Sequence, residues 1–189
     1  MIKTIKVMLC PNNKQRTKLF ECAGTARYAY NWTLWYQQTN YDFGYSFVND
    51  IELRRILTVL KQSNPKFRWL NDYSNNIVKQ AVKDACKSYQ NFFKGMSNYP
   101  NFKSRKKSRP SFYADTSKIS FTSTHVKLEK LTTSRKANKK KFNLIKLAEK
   151  NKIPVNAKYS NPRVTFDGLN WWISVGIECS ESTENPLNE

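Results

Sequence analysis

The chain has 189 residues and a formal net charge of +19 at pH 7, from 33 lysine and arginine residues against 14 acidic ones. Its hydrophobic content of 39% and aromatic content of 14% exclude a disordered composition and allow one ordinary domain or two small ones. No apolar run approaches the roughly 20 residues that span a bilayer, and the apolar stretch at the N-terminus is too short for the apolar region of a signal peptide. These two features predict a cytoplasmic protein. The basic excess favours nucleic acid over a membrane, because the basic region lacks the apolar period of a membrane-surface helix.

Hydrophobic periodicity predicts one strand followed by three helices. Residues 2–9 alternate loosely between apolar and polar side chains, as a strand does. From Lys14 to about Gln38, apolar residues recur every three or four positions, which predicts the first helix. The same spacing predicts a second helix over about Ser46–Gln62 and a third over about Ser74–Lys94. Three such helices can pack as a small bundle.

After Pro100 the pattern changes to short runs of β type. Asp167-Gly168, with the two residues after it, has the composition of a hairpin turn. The predicted strands are Ser111–Ala114, Lys118–Thr122, His125–Leu128, Phe142–Leu147, Arg163–Phe166 and Trp171–Glu178.

The order of these elements predicts an α+β fold, in which an antiparallel β-barrel contains an inserted three-helix bundle. We expect residues 1–10 to form the first barrel strand and residues 11–97 the helical domain. Residues 98–179 should complete the barrel, and residues 180–189 should form a disordered acidic tail.

Catalytic and metal-binding signatures are not recognised in the sequence. It has no glycine-rich phosphate loop and no nucleophile motif, and His125 is its one histidine. The four cysteines lack zinc-site spacing and are expected to be small buried residues. A two-metal nuclease needs several carboxylates converging on one point, whereas the acidic residues here are scattered. We therefore predict no catalytic residue, no metal ligand and no cofactor in this chain.

Positive charge is concentrated between Lys94 and Lys152, a segment that contains 17 lysine or arginine residues and only three acidic ones. The stretch from Asn98 to Tyr113 mixes cations with aromatic residues. Its cations are expected to neutralise phosphates, and its aromatic residues either stack on bases or fill the core. A second basic run is predicted to form a loop that contacts phosphates. The candidates are Phe102, Lys103, Arg105, Lys106, Lys107 and Arg109 in the first run, and Lys139 and Lys140 in the second.

Two of the predicted helices carry further candidates. Arg27 and Asn31 lie four residues apart on one face of the first helix, which is otherwise crowded with aromatic residues that must partly be core. Lys79, Gln80 and Lys83 lie on adjoining faces of the third helix. Since glutamine can pair with adenine in a major groove, this helix is a candidate for contacting DNA.

Several motifs, taken in order, resemble those of TnpB/OrfB-type transposon proteins. Residues 22–32 carry a GxxRxxxN pattern, residues 77–93 a further helix, and residues 99–107 a P-x-F-K segment. The strand at 171–178 also fits, so the likeness covers about residues 1–178. The family comprises RNA-guided DNA nucleases related to type V CRISPR effectors, whose front half is an OB-like wedge barrel with an inserted helical recognition domain.

The resemblance implies that this chain binds guide RNA and double-stranded target DNA beside a short adjacent motif, while base pairing reads the target. It implies that Lys79, Gln80 and Lys83 read the motif, with Thr122 and Ser123 as further candidates. Contacts to RNA or to the heteroduplex are implied for Arg27, Asn31, Lys103, Arg105, Lys106 and Arg109.

The family's RuvC nuclease domain, which supplies metal-binding carboxylates, is not recognised in this sequence. We therefore expect no enzymatic activity from the chain itself, and a divalent metal only through a RuvC domain that is missing here or is carried by a partner chain. Two other functions remain open, a guide-independent DNA-binding regulator derived from a transposon protein and a competitor for the effector's RNA.

Overall fold

The structure is a computed structural model that describes residues 2–132 and 141–178. The described residues form an α+β fold, as the sequence predicts, with the helices placed between the first strand and six later strands. The helices are α1 (Asn13–Asp42), α2 (Asp50–Ser63) and α3 (Asn75–Phe93), with 3-10 helices at Pro65–Asp72 and Lys141–Asn143. The strands are β1 (Ile2–Cys10), β2 (Ser111–Tyr113), β3 (Ser120–Phe121), β4 (His125–Lys127), β5 (Leu144–Leu147), β6 (Tyr159–Phe166) and β7 (Trp171–Glu178).

Polar side chains decide where the helices begin. Asn12 and Gln15 form a capping box at α1, in which each side-chain oxygen accepts a hydrogen bond from the other residue's backbone N–H. Asn49 caps α2, so that helix begins at Asp50 and not at the predicted Ser46. The 3-10 helix at Pro65–Asp72 was missed, because eight residues are too few to display a helical period.

Strand β1 lies near the middle of one antiparallel sheet, with the order β2-β6-β7-β1-β5-β4-β3. It pairs with β7 from Ile2↔Glu178 to Leu9↔Trp171, and with β5 only at its end. The predicted hairpin between β6 and β7 is confirmed, because Asp167 closes the turn. Its carboxylate accepts hydrogen bonds from the backbone of Asn170 and Leu169 and from the Trp172 indole, and these hold the pKa of the carboxyl at about 2.

The predicted barrel closure is not confirmed, because the sheet is open among the described residues. No ladder joins its edge strands β2 and β3 there, and these strands have only three and two residues. The chain between them turns at Asp115, whose carbonyl accepts from the backbone N–H groups of Lys118 and Ile119. A side-chain contact joins the edge strand β3 to β6, since the rings of Phe121 in β3 and Tyr159 in β6 lie 4.9 Å apart.

Two hydrophobic cores share helix α1. Leu19, Cys22 and Ala23 in its first half pack against the sheet, in a core that contains the buried Trp171. The second half packs against α2, α3 and the 3-10 helix, through residues that include Ala29, Tyr30 and Leu34. One continuous helix therefore joins the helical part to the sheet. The predicted domain boundaries remain predictions, and the predicted acidic tail at 180–189 lies outside the described residues.

The cysteines only partly match the expectation of burial. Cys22 and Cys86 are buried, whereas Cys10 is exposed at the end of β1. Burial raises the pKa of the Cys22 thiol to about 12 and that of Cys86 to about 11, so both remain protonated at neutral pH. Among the helices that the structure describes, none is long and apolar enough to cross a bilayer.

A substitution at Gly176 tests the pairing of β6 with β7. An added Cβ would clash with Ser160 Oγ and would lie 3.0 Å from Ile2 Cγ2, so we expect Gly176→Ala to lower the free energy of unfolding by about 1–3 kcal/mol. Gly24→Ala in α1 is the control, since a Cβ there meets nothing within 4 Å. This substitution should raise the free energy of unfolding by about 0.5–1 kcal/mol. Urea unfolding measures both values, and an unchanged free energy for Gly176→Ala would contradict the described packing.

Candidate nucleic-acid interface

Residues 100–110, here called the basic strap, run across α1 before entering β2. Asn31 of α1 holds the strap by its backbone: its Nδ2 donates to the Lys103 carbonyl and its Oδ1 accepts from the Lys103 N–H, both at 2.8 Å. The Lys103 ammonium lies 3.8 Å from the ring centre of the buried Tyr30. The structure thus gives the Asn31 side chain and the Lys103 backbone a role in holding the strap, and the nucleic-acid contacts predicted for both residues remain predictions.

The strap and α1 form the two walls of a cationic groove with a volume of about 830 Å³. The turn between β6 and β7 lines a third side. Within the described part of the chain, the groove's cations have no ion pair, so their charge is available to an external anion. These cations are Arg27, Arg105, Lys106, Lys107 and Arg109, all of them predicted candidates.

An aromatic surface continues this groove along α1, with a further 510 Å³. Gly24 and Arg27 line both parts, so the two are adjacent, and we call them together the basic–aromatic groove. Phe102 of the strap is 60% exposed and Trp35 of α1 is 55% exposed. The other aromatic residues that line this part are Tyr28, Trp32 and Phe67.

Phe102 and Phe112, two aromatic residues of the stretch from Asn98 to Tyr113, differ in their exposure to solvent. Phe102 is exposed and available for stacking, whereas Phe112 in β2 is 3% exposed and belongs to the sheet core. Phe67 was not a candidate in the sequence analysis, because it lies in the 3-10 helix that the periodicity missed. Cations beside solvent-facing rings are the arrangement that binds single-stranded nucleic acid, through its phosphates and the faces of its bases.

The candidates on α3 lie outside the basic–aromatic groove. Lys79 and Lys83 are exposed, and the described residues offer neither of them an ion pair. The Gln80 amide donates to Asp84 at 2.7 Å. Asp84 in turn accepts two hydrogen bonds from the Arg163 guanidinium of β6, at 2.8 and 3.2 Å. The position of Gln80 is therefore tied to the sheet.

Thr122 and Ser123 lie exposed in the turn between β3 and β4. The Thr122 hydroxyl accepts from the His125 N–H at 2.9 Å and so helps to close that turn. The Ser123 carbonyl accepts from the Asn151 N–H, which ties the turn to the segment after β5. Two further candidates, Lys139 and Lys140, lie outside the described residues.

A second cationic groove, with a volume of about 1250 Å³, was not anticipated from the sequence. It opens between the start of α1 and strands β4 and β5. Part of its charge has partners, since Lys18 pairs with Glu21 and Lys130 donates to backbone carbonyls. Lys130, Lys141 and Lys146 lie in the basic segment 94–152, but the sequence does not show that they come together with Lys14 and Lys18. The lysines that line the groove are Lys14, Lys18, Lys130, Lys141 and Lys146.

Comparison with known proteins confirms the resemblance to transposon proteins. Residues 1–44 match a family described as a helix-turn-helix domain of the IS605 OrfB type. The putative RNA-guided DNA endonuclease InsQ of Escherichia coli strain K12 is 24% identical to this chain over 182 residues. The match covers 96% of this chain but 42% of InsQ, so the chain spans less than half the length of that relative.

The matched region does not contain two helices joined by a turn. Within residues 2–44, the structure has strand β1 and then the single helix α1 up to Asp42. A helix-turn-helix protein places its second helix in the major groove, and the described part of this region offers no such helix. The match therefore supports relationship to the family and does not by itself indicate how DNA would dock.

Removing the Asn31 side chain tests how the strap is held. In Asn31→Ala the Lys103 N–H loses its acceptor, so we expect its hydrogen exchange to accelerate about 5- to 30-fold, equivalent to about 1–2 kcal/mol. The Lys107 N–H, which donates to Ser104 Oγ within the strap, is the internal control and should change little. Residue-resolved exchange measured by NMR reports both, and equal rates for Lys103 in the two proteins would contradict the clamp.

Proposed function

We propose that this chain is the nucleic-acid-binding part of a TnpB-like, RNA-guided system and that it holds single-stranded guide RNA in the basic–aromatic groove. The observation that carries this proposal is the continuity, along one face of α1, of exposed aromatic rings with cations that have no ion pair among the described residues. The relative InsQ, by its name a putative RNA-guided DNA endonuclease, supports the choice of RNA as the ligand.

The groove suits a single strand better than a duplex. Bases of a duplex are stacked on each other, and their faces are not free to contact Trp35 or Phe102. In a single strand, each unpaired base exposes a face that can stack on a ring, while the phosphates meet the strap cations. The strap cations contact the backbone and carry no sequence information, so this groove should accept many RNA sequences.

Reading of a short motif in duplex DNA is assigned to α3. Lys79 and Lys83 would contact phosphates on either side of Gln80, whose carbonyl oxygen and second amide hydrogen can pair with adenine. The Asp84–Arg163 bridge supports this role, because it orients the glutamine before DNA binds. Thr122 and Ser123, exposed in the turn between β3 and β4, and Lys139 and Lys140 would add further contacts.

Strand cleavage is assigned to residues outside this part of the protein. Among the described residues, no group of three or more histidine, cysteine or carboxylate side chains is arranged to hold a metal. A RuvC-type domain, on a partner chain or elsewhere, would supply the carboxylates and the divalent metal. This chain would contribute the RNA and DNA contacts that place the substrate.

Nucleic acid that copurifies with the tagged chain from its host at moderate salt tests the proposal. One structured RNA with a variable end is the expected result upon sequencing. Random fragments that wash off with added salt would contradict a guide-binding role. Duplex DNA without RNA would favour the guide-independent regulator, and inhibition of an intact nuclease of this type by the added chain would favour the competitor.

Variants of the groove should separate stacking from charge. We expect Trp35→Ala and Phe102→Ala each to weaken single-stranded RNA binding by about 1–3 kcal/mol, with an unchanged dependence on salt, because a stacked base is lost and no counterion is involved. Phe43→Ala is the matched control, since Phe43 is 74% exposed and does not line the groove. Fluorescence anisotropy measures the affinities, and an equal loss in Phe43→Ala would contradict the assignment.

Charge variants should show the opposite behaviour. Arg105→Gln and Lys106→Gln should each weaken RNA binding and lower the slope of log K against log salt by about 0.7, the value for one phosphate contact on a single strand. Lys94→Gln is the control for loss of one positive charge at a site that does not line the groove. If all three variants lower the slope equally, the attraction is diffuse and not localised to the groove.

A further inference from the structure

A small pocket lies where α1, α3, the strap and strands β2 and β6 meet, next to the basic–aromatic groove. Its volume is about 60 Å³, and the alanines that line it on α1 and α3 leave this space open. Its charged lining is unbalanced, with four cations against one carboxylate. These are Arg27, Lys103, Arg109 and Arg163, together with Asp84.

The single carboxylate already accepts hydrogen bonds from other side chains. Asp84 accepts both hydrogen bonds from Arg163 and one from the Gln80 amide. The remaining three cations have no carboxylate within ion-pair distance in the described residues. Arg27 is half-buried, whereas Lys103 and Arg109 are exposed, and all three cations line one small concave space. Such a concentration of positive charge without a carboxylate partner favours the binding of an anion.

Lys103 shows the imbalance most clearly. Desolvation of its ammonium group lowers the pKa of that group below the ordinary value; Asp84 opposes this shift and Arg163 adds to it. Its backbone is fixed by the two hydrogen bonds to Asn31, and its ammonium lies over the Tyr30 ring. The cation is therefore held near the pocket before any ligand arrives, which reduces the entropy cost of binding.

We propose that this pocket binds one phosphate group, supplied by the backbone of the nucleic acid in the basic–aromatic groove. Arg27 and Arg109 line both the groove and the pocket, so a strand in the groove can place a phosphate between them. Guanidinium groups match the geometry of phosphate oxygens, and Lys103 adds a third charge. The inference rests on the proposed function, since it assigns one subsite of the same interface.

Inorganic phosphate is the first probe. We expect its ³¹P resonance to broaden saturably, with one site, when the full chain is added at constant ionic strength. Arg27→Gln and Arg109→Gln should each weaken this binding about tenfold or more, because each removes a charge-assisted hydrogen bond. Neither arginine side chain has a hydrogen bond or an ion pair among the described residues, so both variants should fold, as urea unfolding can verify.

Lys94→Gln is the control, because it also removes one positive charge but lies at a site that lines neither the groove nor the pocket. Its phosphate affinity should stay within about twofold of the wild-type value. No saturation in the wild-type protein would overturn the proposal. An equal loss in Lys94→Gln would also overturn it, since the binding would then reflect only the net charge.

A single-stranded RNA of about ten nucleotides without terminal phosphates identifies the source of the phosphate. If a backbone phosphate occupies the pocket, the bound RNA displaces inorganic phosphate and its resonance sharpens again. RNA that binds while inorganic phosphate stays bound would overturn the backbone assignment. RNA that fails to bind at all would overturn the proposed function, whereas saturable binding of inorganic phosphate in the same sample would still support the pocket as an anion site.

Discussion

The continuity of helix α1 is the constraint on which the rest of the structure depends. The helix has 30 residues, and its two halves belong to two different cores. A buried glutamine anchors each end: the Gln15 amide donates to the carbonyls of Phe142 and Leu144, and the Gln37 amide pairs with the backbone of Val48. Because both amides are buried and satisfied by distant backbone, α1 fixes the loop before β5 and the loop before α2 at once.

The basic–aromatic groove follows from this arrangement. Arg27 lies near the middle of α1, between the two cores, and the strap crosses the helix there. Asn31 holds the strap to the helix, while the Asp84–Arg163 bridge holds α3 to β6. Cations from the strap and rings from the helical part are thereby brought to one surface. Neither the sheet nor the helices alone would create it.

Elements with a long and regular pattern could be predicted from the sequence. Strand β7 was predicted with its observed bounds, since Trp171, Ile173 and Val175 alternate with less buried residues. The edge strands could not be assigned as closely, because two or three residues show no period. Barrel closure depends on hydrogen bonds between such edges, and local sequence does not encode that pairing.

The candidate site was predictable only where its residues are neighbours in sequence. The strap cations form a run, so their role in binding phosphate could be proposed. The exposure of Phe102 against the burial of Phe112 depends on tertiary packing, as does the use of Asn31 as a clamp. The second cationic groove joins segments more than a hundred residues apart, from Lys14 to Lys146. The excess of positive charge in segment 94–152 is visible in the sequence, but its proximity to the start of α1 is not.

Ultraviolet cross-linking of the chain to single-stranded RNA, followed by mass spectrometry of the linked peptides, tests the central claim most directly. The claim is that α1 and the strap together form the RNA-binding surface. It predicts that cross-links fall on Trp35 and Phe102, the exposed aromatic residues of the basic–aromatic groove. Cross-links confined to Tyr41, Phe43 and Tyr45, which are at least as exposed but lie outside the groove, would contradict it.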